Sequence, residues 1–194
     1  MASRLNIRFV SAPKQFLERT VLFSDGLLSP ESTALTRNRR TQFFDFEPMK
    51  ERAALRVLAG QHLYSNDTHV TGYFVKPGSS TMVPKGDTPH PFVFLSEFTC
   101  CRLLVRNEGD DWLRLEIEEN LVGRIPPAES GGDSPFVDSF AYWDYTMGEL
   151  VGRIRGTAVL VKQPGEPWTI YMQQIVGTAG FEQVRLLFSR QLRY

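Results

Sequence analysis

The clearest pattern of apolar and polar positions lies between residues 92 and 121. Residues 92–106 are rich in Phe, Val, Leu and Thr and hold neither Gly nor Pro, the composition of a strand. Asn107-Glu108-Gly109-Asp110 makes a turn. From Asp111 to Leu121 the chain alternates, with Leu113, Leu115 and Ile117 on one face and Trp112, Arg114, Glu116 and Glu118 on the other. Period-two alternation marks an antiparallel strand with one wet face, so the spacing predicts a long hairpin.

Further along, Pro126-Pro127 ends that strand and residues 128–135 form a Ser/Gly/Asp loop without periodicity. A strand is predicted over 136–145. A second hairpin follows, with arms 153–162 and 168–176 joined through Pro164-Gly165, a pair that favours a type II turn. Gly177-Thr178-Ala179-Gly180 punctuates again before a third arm over 183–194. Strands joined by short turns describe an antiparallel meander, and a meander of long strands must close or be covered. The expected architecture is therefore mainly β: a meander closing as a β-barrel, with a two-sheet sandwich as the alternative. One β-rich domain spans 1–194.

The first third is mixed. Residues 5–10 and 41–46 read as strands. Ser29-Pro30-Glu31 opens a short helix running to about residue 40, with Pro at the first helical position. Glu47-Pro48 opens a second helix through residue 58 with Gly60 at its end, unless 54–58 feeds directly into the next strand. Residues 76–91, sixteen residues with four prolines and two glycines, read as a long structureless loop of the kind that carries function.

Charge narrows the choice of partner. Lys and Arg total 22 and Asp and Glu total 22, a net charge of zero. That balance disfavours nucleic acid and anionic membrane as bulk electrostatic partners. It leaves room for local contacts such as the basic cluster Arg37, Arg39 and Arg40, whose simpler role is to complement a helix C-terminus. The two cysteines are adjacent, Cys100 and Cys101, which excludes a disulfide scaffold and a four-cysteine zinc site. Charged residues interrupt the N-terminus, and no run of 18 apolar residues occurs, so an intracellular, cytoplasmic protein without a membrane span is expected.

Two clusters carry candidate chemistry. If Asn66-Asp67 forms a two-residue hairpin turn, His62, Tyr64, His69, Thr71 and Tyr73 share one face. That polar-aromatic wall suits a ligand or half of a metal site. No HxH or HExxH pair supplies the remaining ligands, so neither metal nor cofactor is expected. The second cluster is Tyr142 and Asp144 on one face of their strand, with Arg153 and Arg155 on the next. The plainer accounts are a solvated face for the first and a cross-strand ion pair for the second. GxSxG, GxxxxGK[ST] and GxGxxG are all missing.

Two functions from different classes fit. One is a non-catalytic binding or assembly module, holding a small apolar ligand or docking into a larger protein complex, a role compatible with a homo-oligomer. The other is a cofactor-free lyase or isomerase using His62, His69, Tyr73 or Asp144 as acid and base.

Overall fold

The computed structural model describes residues 4–24, 41–49, 52–57, 69–76, 78–95, 102–118, 136–141, 155–177 and 181–194. Strands dominate. Two helices, α1 (Arg4–Ser11) and α2 (Pro13–Arg19), precede β1 (Val21–Phe23), β2 (Gln42–Met49), β3 (Arg52–Val57) and β4 (Val70–Val75). Then come β5 (Ser80–Pro84), β6 (Phe92–Leu95), β7 (Arg102–Glu108), β8 (Trp112–Glu118) and β9 (Phe136–Ala141). β10 (Arg155–Val161), β11 (Thr169–Val176) and β12 (Gln183–Gln191) complete the chain.

Among the described residues eight strands form the main sheet, ordered β1-β3-β2-β4-β6-β10-β11-β12, and four form a small one, β5-β8-β7-β9. The main sheet curls until it is nearly closed and barrel-shaped. It is not a pure antiparallel meander: β4 runs parallel to β6, and β1 runs parallel to β3. The first of these follows from connectivity. The chain leaves β4 to build β5 in the other sheet before returning, and a crossover of that kind restores the original direction.

Strict alternation separates two cores. Along β6, Phe92 and Phe94 point to one side, Val93 and Leu95 to the other; along β10, Val159 and Val161 oppose Ala158 and Leu160. Each strand is thus buried on both faces, which explains its unbroken apolar run. On the concave side every strand of the main sheet contributes to a single cluster, from Leu22 of β1 to Leu187 of β12, around Phe9 and Phe16 of the helices. On the convex side the small sheet packs Val83, Leu103, Leu113 and Leu115 against Leu160, Ile170 and Met172.

The hairpin predicted from alternation forms as β7 and β8, in register from Arg102↔Glu118 to Glu108↔Trp112, with Leu113, Leu115 and Ile117 buried. The β10–β11 hairpin and the β12 arm also form. Four expectations need correction. Residues 5–10 are helical, because Leu5 and Phe9 both turn onto the concave core while Asn6 fixes the helix to β2. There the Asn6 Oδ1 accepts from Phe46 N at 2.9 Å and its Nδ2 donates to Asp45 at 2.6 Å. The helix predicted over 47–58 is instead the end of β2 and the whole of β3, paired from Phe44↔Val57 to Met49↔Arg52. Pro48 is tolerated because β4 pairs only with Gln42, Phe43 and Phe44, which leaves one edge of β2 unpaired at Pro48. The single strand read over 92–106 is two, β6 and β7, in different sheets. The loop read over 76–91 contains β5, which pairs with β8 from Ser80↔Glu116 to Pro84↔Trp112. The helix predicted over residues 30–40 lies outside the described residues, as do Cys100 and Cys101.

Helix α2, which hydrophobic patterning did not reveal, starts on Pro13 and ends at Thr20. The side chain of Gln173 on β11, 1% exposed, secures that end. Its Nε2 donates to the carbonyls of Leu17 and Thr20, both at 2.6 Å, and its Oε1 accepts from Leu22 N at 3.0 Å. One buried amide thereby satisfies three main-chain groups at the junction of α2 and β1. Gly72 is fixed by proximity: a Cβ there would run into the Phe92 carbonyl of the parallel neighbour.

Candidate functional site

Titratable side chains converge at one end of the main sheet, where residues 85–91, the β10–β11 turn and the C-terminus meet. β10 delivers Lys162 to this end, and the Lys162 N–H donates to the Pro91 carbonyl at 2.9 Å. The Lys162 side chain is only 5% exposed, so its ammonium needs partners. It finds the carboxylate of Asp87 at 3.4 Å and the carbonyl of Glu166. Asp87 itself is 64% exposed and also accepts from Gly165 N at 3.0 Å. Gly165 holds φ +73°, the left-handed conformation that the turn requires and that glycine adopts without strain. The Gly165 N–H, followed by the Lys162 ammonium, holds the Asp87 carboxyl below its ordinary range.

Behind this clasp lies Trp168, fully buried, whose Nε1 donates to the Pro84 carbonyl at 2.7 Å. Its main-chain N–H donates to Tyr194 Oη at 3.1 Å, and its carbonyl accepts from Leu192 N at 2.7 Å. Burial pushes the Tyr194 hydroxyl up, and the Trp168 N–H draws it partly back.

On the β4 side, Tyr73 reaches the same loop. Burial raises its hydroxyl, against the opposing effect of a hydrogen bond with the Thr88 side chain. His90 stands edge-on to Tyr73, with ring centroids 6.4 Å apart and planes at 87°. Its main-chain N–H donates to Thr88 Oγ1 at 3.2 Å. The His90 Nδ1 is buried and has no hydrogen-bond partner. Tyr73, Thr88 and His90 therefore bring a phenol, a hydroxyl and an imidazole together, the raw material of proton transfer. Among the described residues no group of three His, Cys, Asp or Glu could hold a metal ion.

Of the residues singled out from sequence as candidate chemistry, His69, Thr71 and Tyr73 are described in full, and His69 and Tyr73 are the titratable ones. His69 immediately precedes β4 and Tyr73 lies within it, buried with Val75 in the convex core, so the two stand four residues apart, about 13 Å at the rise of a strand. His69 sits edge-on to Phe43, with centroids 6.2 Å apart, rather than beside Tyr73, and its Nε2 is buried with no partner. Arg155 opens β10 opposite Ile175, and its side chain lies outside the description. His62, Tyr64, Tyr142, Asp144 and Arg153 lie outside the described residues, as do Arg37, Arg39 and Arg40. Asp87, Lys162, Thr88 and His90 were not anticipated as a group. Lys162 closing a run of buried apolar residues was the one available signal, since a cation there must be paired.

No protein-family model matches the chain, and no curated protein matches it in sequence. Among the described residues no helix is long and apolar enough to cross a membrane.

Proposed function

We propose that this chain is a non-catalytic binding or assembly module that acts by docking its surface into a larger protein complex. The observation that carries this reading is the use of the concave space. A barrel that holds a small apolar ligand must leave room inside the wall. Here Phe9 and Phe16 of the chain's own helices take that position, with Phe9 rings-in-contact to Phe46 and Phe92 at 4.8 Å. Meanwhile Ile7 and Val10, on the outer face of the same helix, remain 49% and 45% exposed. The titratable clasp supports the same view, because Lys162, Asp87 and Glu166 bind one another and the main chain. Native mass spectrometry of the purified protein tests the proposal. Masses at whole multiples of the bare chain are expected, and a co-purifying small molecule at one per chain would overturn docking in favour of a ligand cavity.

A cofactor-free lyase or isomerase is the second reading, favoured by the buried, partnerless Nδ1 of His90 beside Tyr73. Nitrogen NMR of the His90 ring against pH, in the native protein and in Tyr73→Phe, separates the two. An acid–base pair gives a His90 titration that moves when the phenol is removed. A packed edge contact leaves it in place.

A further inference from the structure

We infer that the outer face of α1 and α2 docks the acidic tip of the β7–β8 hairpin from a second copy of this chain, head to tail. The inference rests on the assembly reading and says which surfaces would serve it. On α1, the helical period puts Arg4, Ile7, Arg8 and Ser11 on the side away from Phe9, all exposed. Ile7 and Val10 give this face apolar area at 49% and 45% exposure, and α2 adds exposed Arg19. Lys14 is already 4.0 Å from Glu18, so the cationic surplus of this face lies with the arginines.

The complementary surface is the hairpin tip. Asp110 and Asp111 are exposed in the turn, and Trp112, 36% exposed, lies next to them on the outer face of the small sheet. Arg114 is shared between Glu108 and Glu116, each at 3.7 Å, so it does not offset the two aspartates. Lys85 also reaches the tip, where its Nζ donates to the Gly109 carbonyl at 2.9 Å, so the acidic excess there is that of Asp110 and Asp111 together over one ammonium. Each surface thus joins apolar side chains to an excess of one charge, and the signs are opposite. Arginine facing carboxylate allows two parallel hydrogen bonds, which adds register to attraction.

Geometry keeps the two surfaces of one molecule apart, so their complementarity is available to a second copy. α1 and α2 pack on the concave side of the main sheet through Phe9 and Phe16, and β7 and β8 pack on its convex side through Leu103 and Leu115. Packed layers stand about 10 Å apart, so the two surfaces of one molecule face away from each other across three layers. With no net charge to keep copies apart, a basic surface on one copy and an acidic surface on the next attract head to tail. Because the two surfaces differ, each copy offers one of each, and the contact repeats into a ring or an open filament.

Sedimentation velocity across protein concentration and salt tests this, with two variants at exposed sites: Arg4→Glu with Arg8→Glu, and Asp110→Lys with Asp111→Lys. The native chain should self-associate, and more weakly as salt rises from about 0.05 to about 0.5 M. Either charge reversal alone should weaken association by about tenfold or more, and mixing the two variants in equal amounts should restore it. Circular dichroism establishes that both variants fold. Association unchanged by either reversal overturns the contact while leaving the assembly reading in place. A native chain that stays monomeric overturns it too, as does a monomer that binds vesicles of anionic lipid through α1.

Discussion

The two cores on either side of the main sheet are built from different materials. The concave one holds seven phenylalanines, Phe9, Phe16, Phe44, Phe46, Phe74, Phe92 and Phe94, with Phe9 touching four others. Valine, leucine and isoleucine make most of the convex one. The difference follows from shape. Two facing sheets mesh through short branched side chains standing upright on a pleated surface. A curled wall closing on a helix pair leaves an uneven volume, and large flat rings span it by stacking at angles. The concave core therefore depends on a few large parts and the convex core on many small ones.

Truncating one part of each core tests that distinction. Phe9→Ala should cost about 4 kcal/mol, the upper range for a buried aromatic, because it removes a ring in contact with four others. Leu115→Ala in the convex core should cost about 3 kcal/mol. Urea unfolding gives the size, and hydrogen exchange gives the place. Phe9→Ala should strip protection from α1 and α2 while β7 and β8 keep theirs. Equal costs with α1 still protected would show that the cores do not differ in this way. The next effect belongs to Gln173→Leu, which leaves Leu22 N and the carbonyls of Leu17 and Thr20 without their partner. A loss of about 2 kcal/mol is expected, with exchange at Leu22 rising first. Asp87→Asn should have the smallest effect, and it appears as a change in pH dependence. Folding lowers the Asp87 pKa, so its ionised form favours the native state. That contribution is full above the unfolded carboxyl value of about 4 and fades as pH falls through the lower folded value. Thermal melts of the native chain should lose stability across that acid range, and the same limb should flatten in Asp87→Asn.

Much of the fold was legible because burial acts on periodicity. Leu113, Leu115 and Ile117 alternate with Arg114 and Glu116, and only a strand with one wet face satisfies that order. The chain misleads where a segment is short enough to satisfy two periods. Leu5, Ile7 and Phe9 alternate like a strand, yet Leu5 and Phe9 also stand one helical turn apart, and the concave core selected the helix. Ala53-Ala54-Leu55-Arg56 favours helix on intrinsic propensity, and pairing with β2 overrode it. Prolines hid β5, whose Val83 nevertheless reaches the convex core. The candidate site was less legible still. Asp87 and Lys162 lie far apart in sequence, and only the pairing of β6 with β10 brings Pro91 and Lys162 side by side. His69 and Tyr73 were read as parts of one polar-aromatic wall, but strand rise separates them and Tyr73 packs into the convex core.

The small sheet has a consequence for how the chain must fold. Its strands come from two departures from the main sheet, β5 between β4 and β6, then β7, β8 and β9 between β6 and β10. Among the described residues β5 finds its strand partner in β8, so its pairing waits on the later hairpin. The β7–β8 turn is local and closes on the microsecond scale, about 1–10 μs. Capture of β5 by β8 ties off a far larger loop and waits on it, and pairings of that kind set slow rates. Folding speed should thus respond to the β5 side chains that dock with β8, Val83 above all, more than to the tightness of the Glu108–Trp112 turn, placing the kinetic bottleneck in the capture of β5 rather than in the barrel wall.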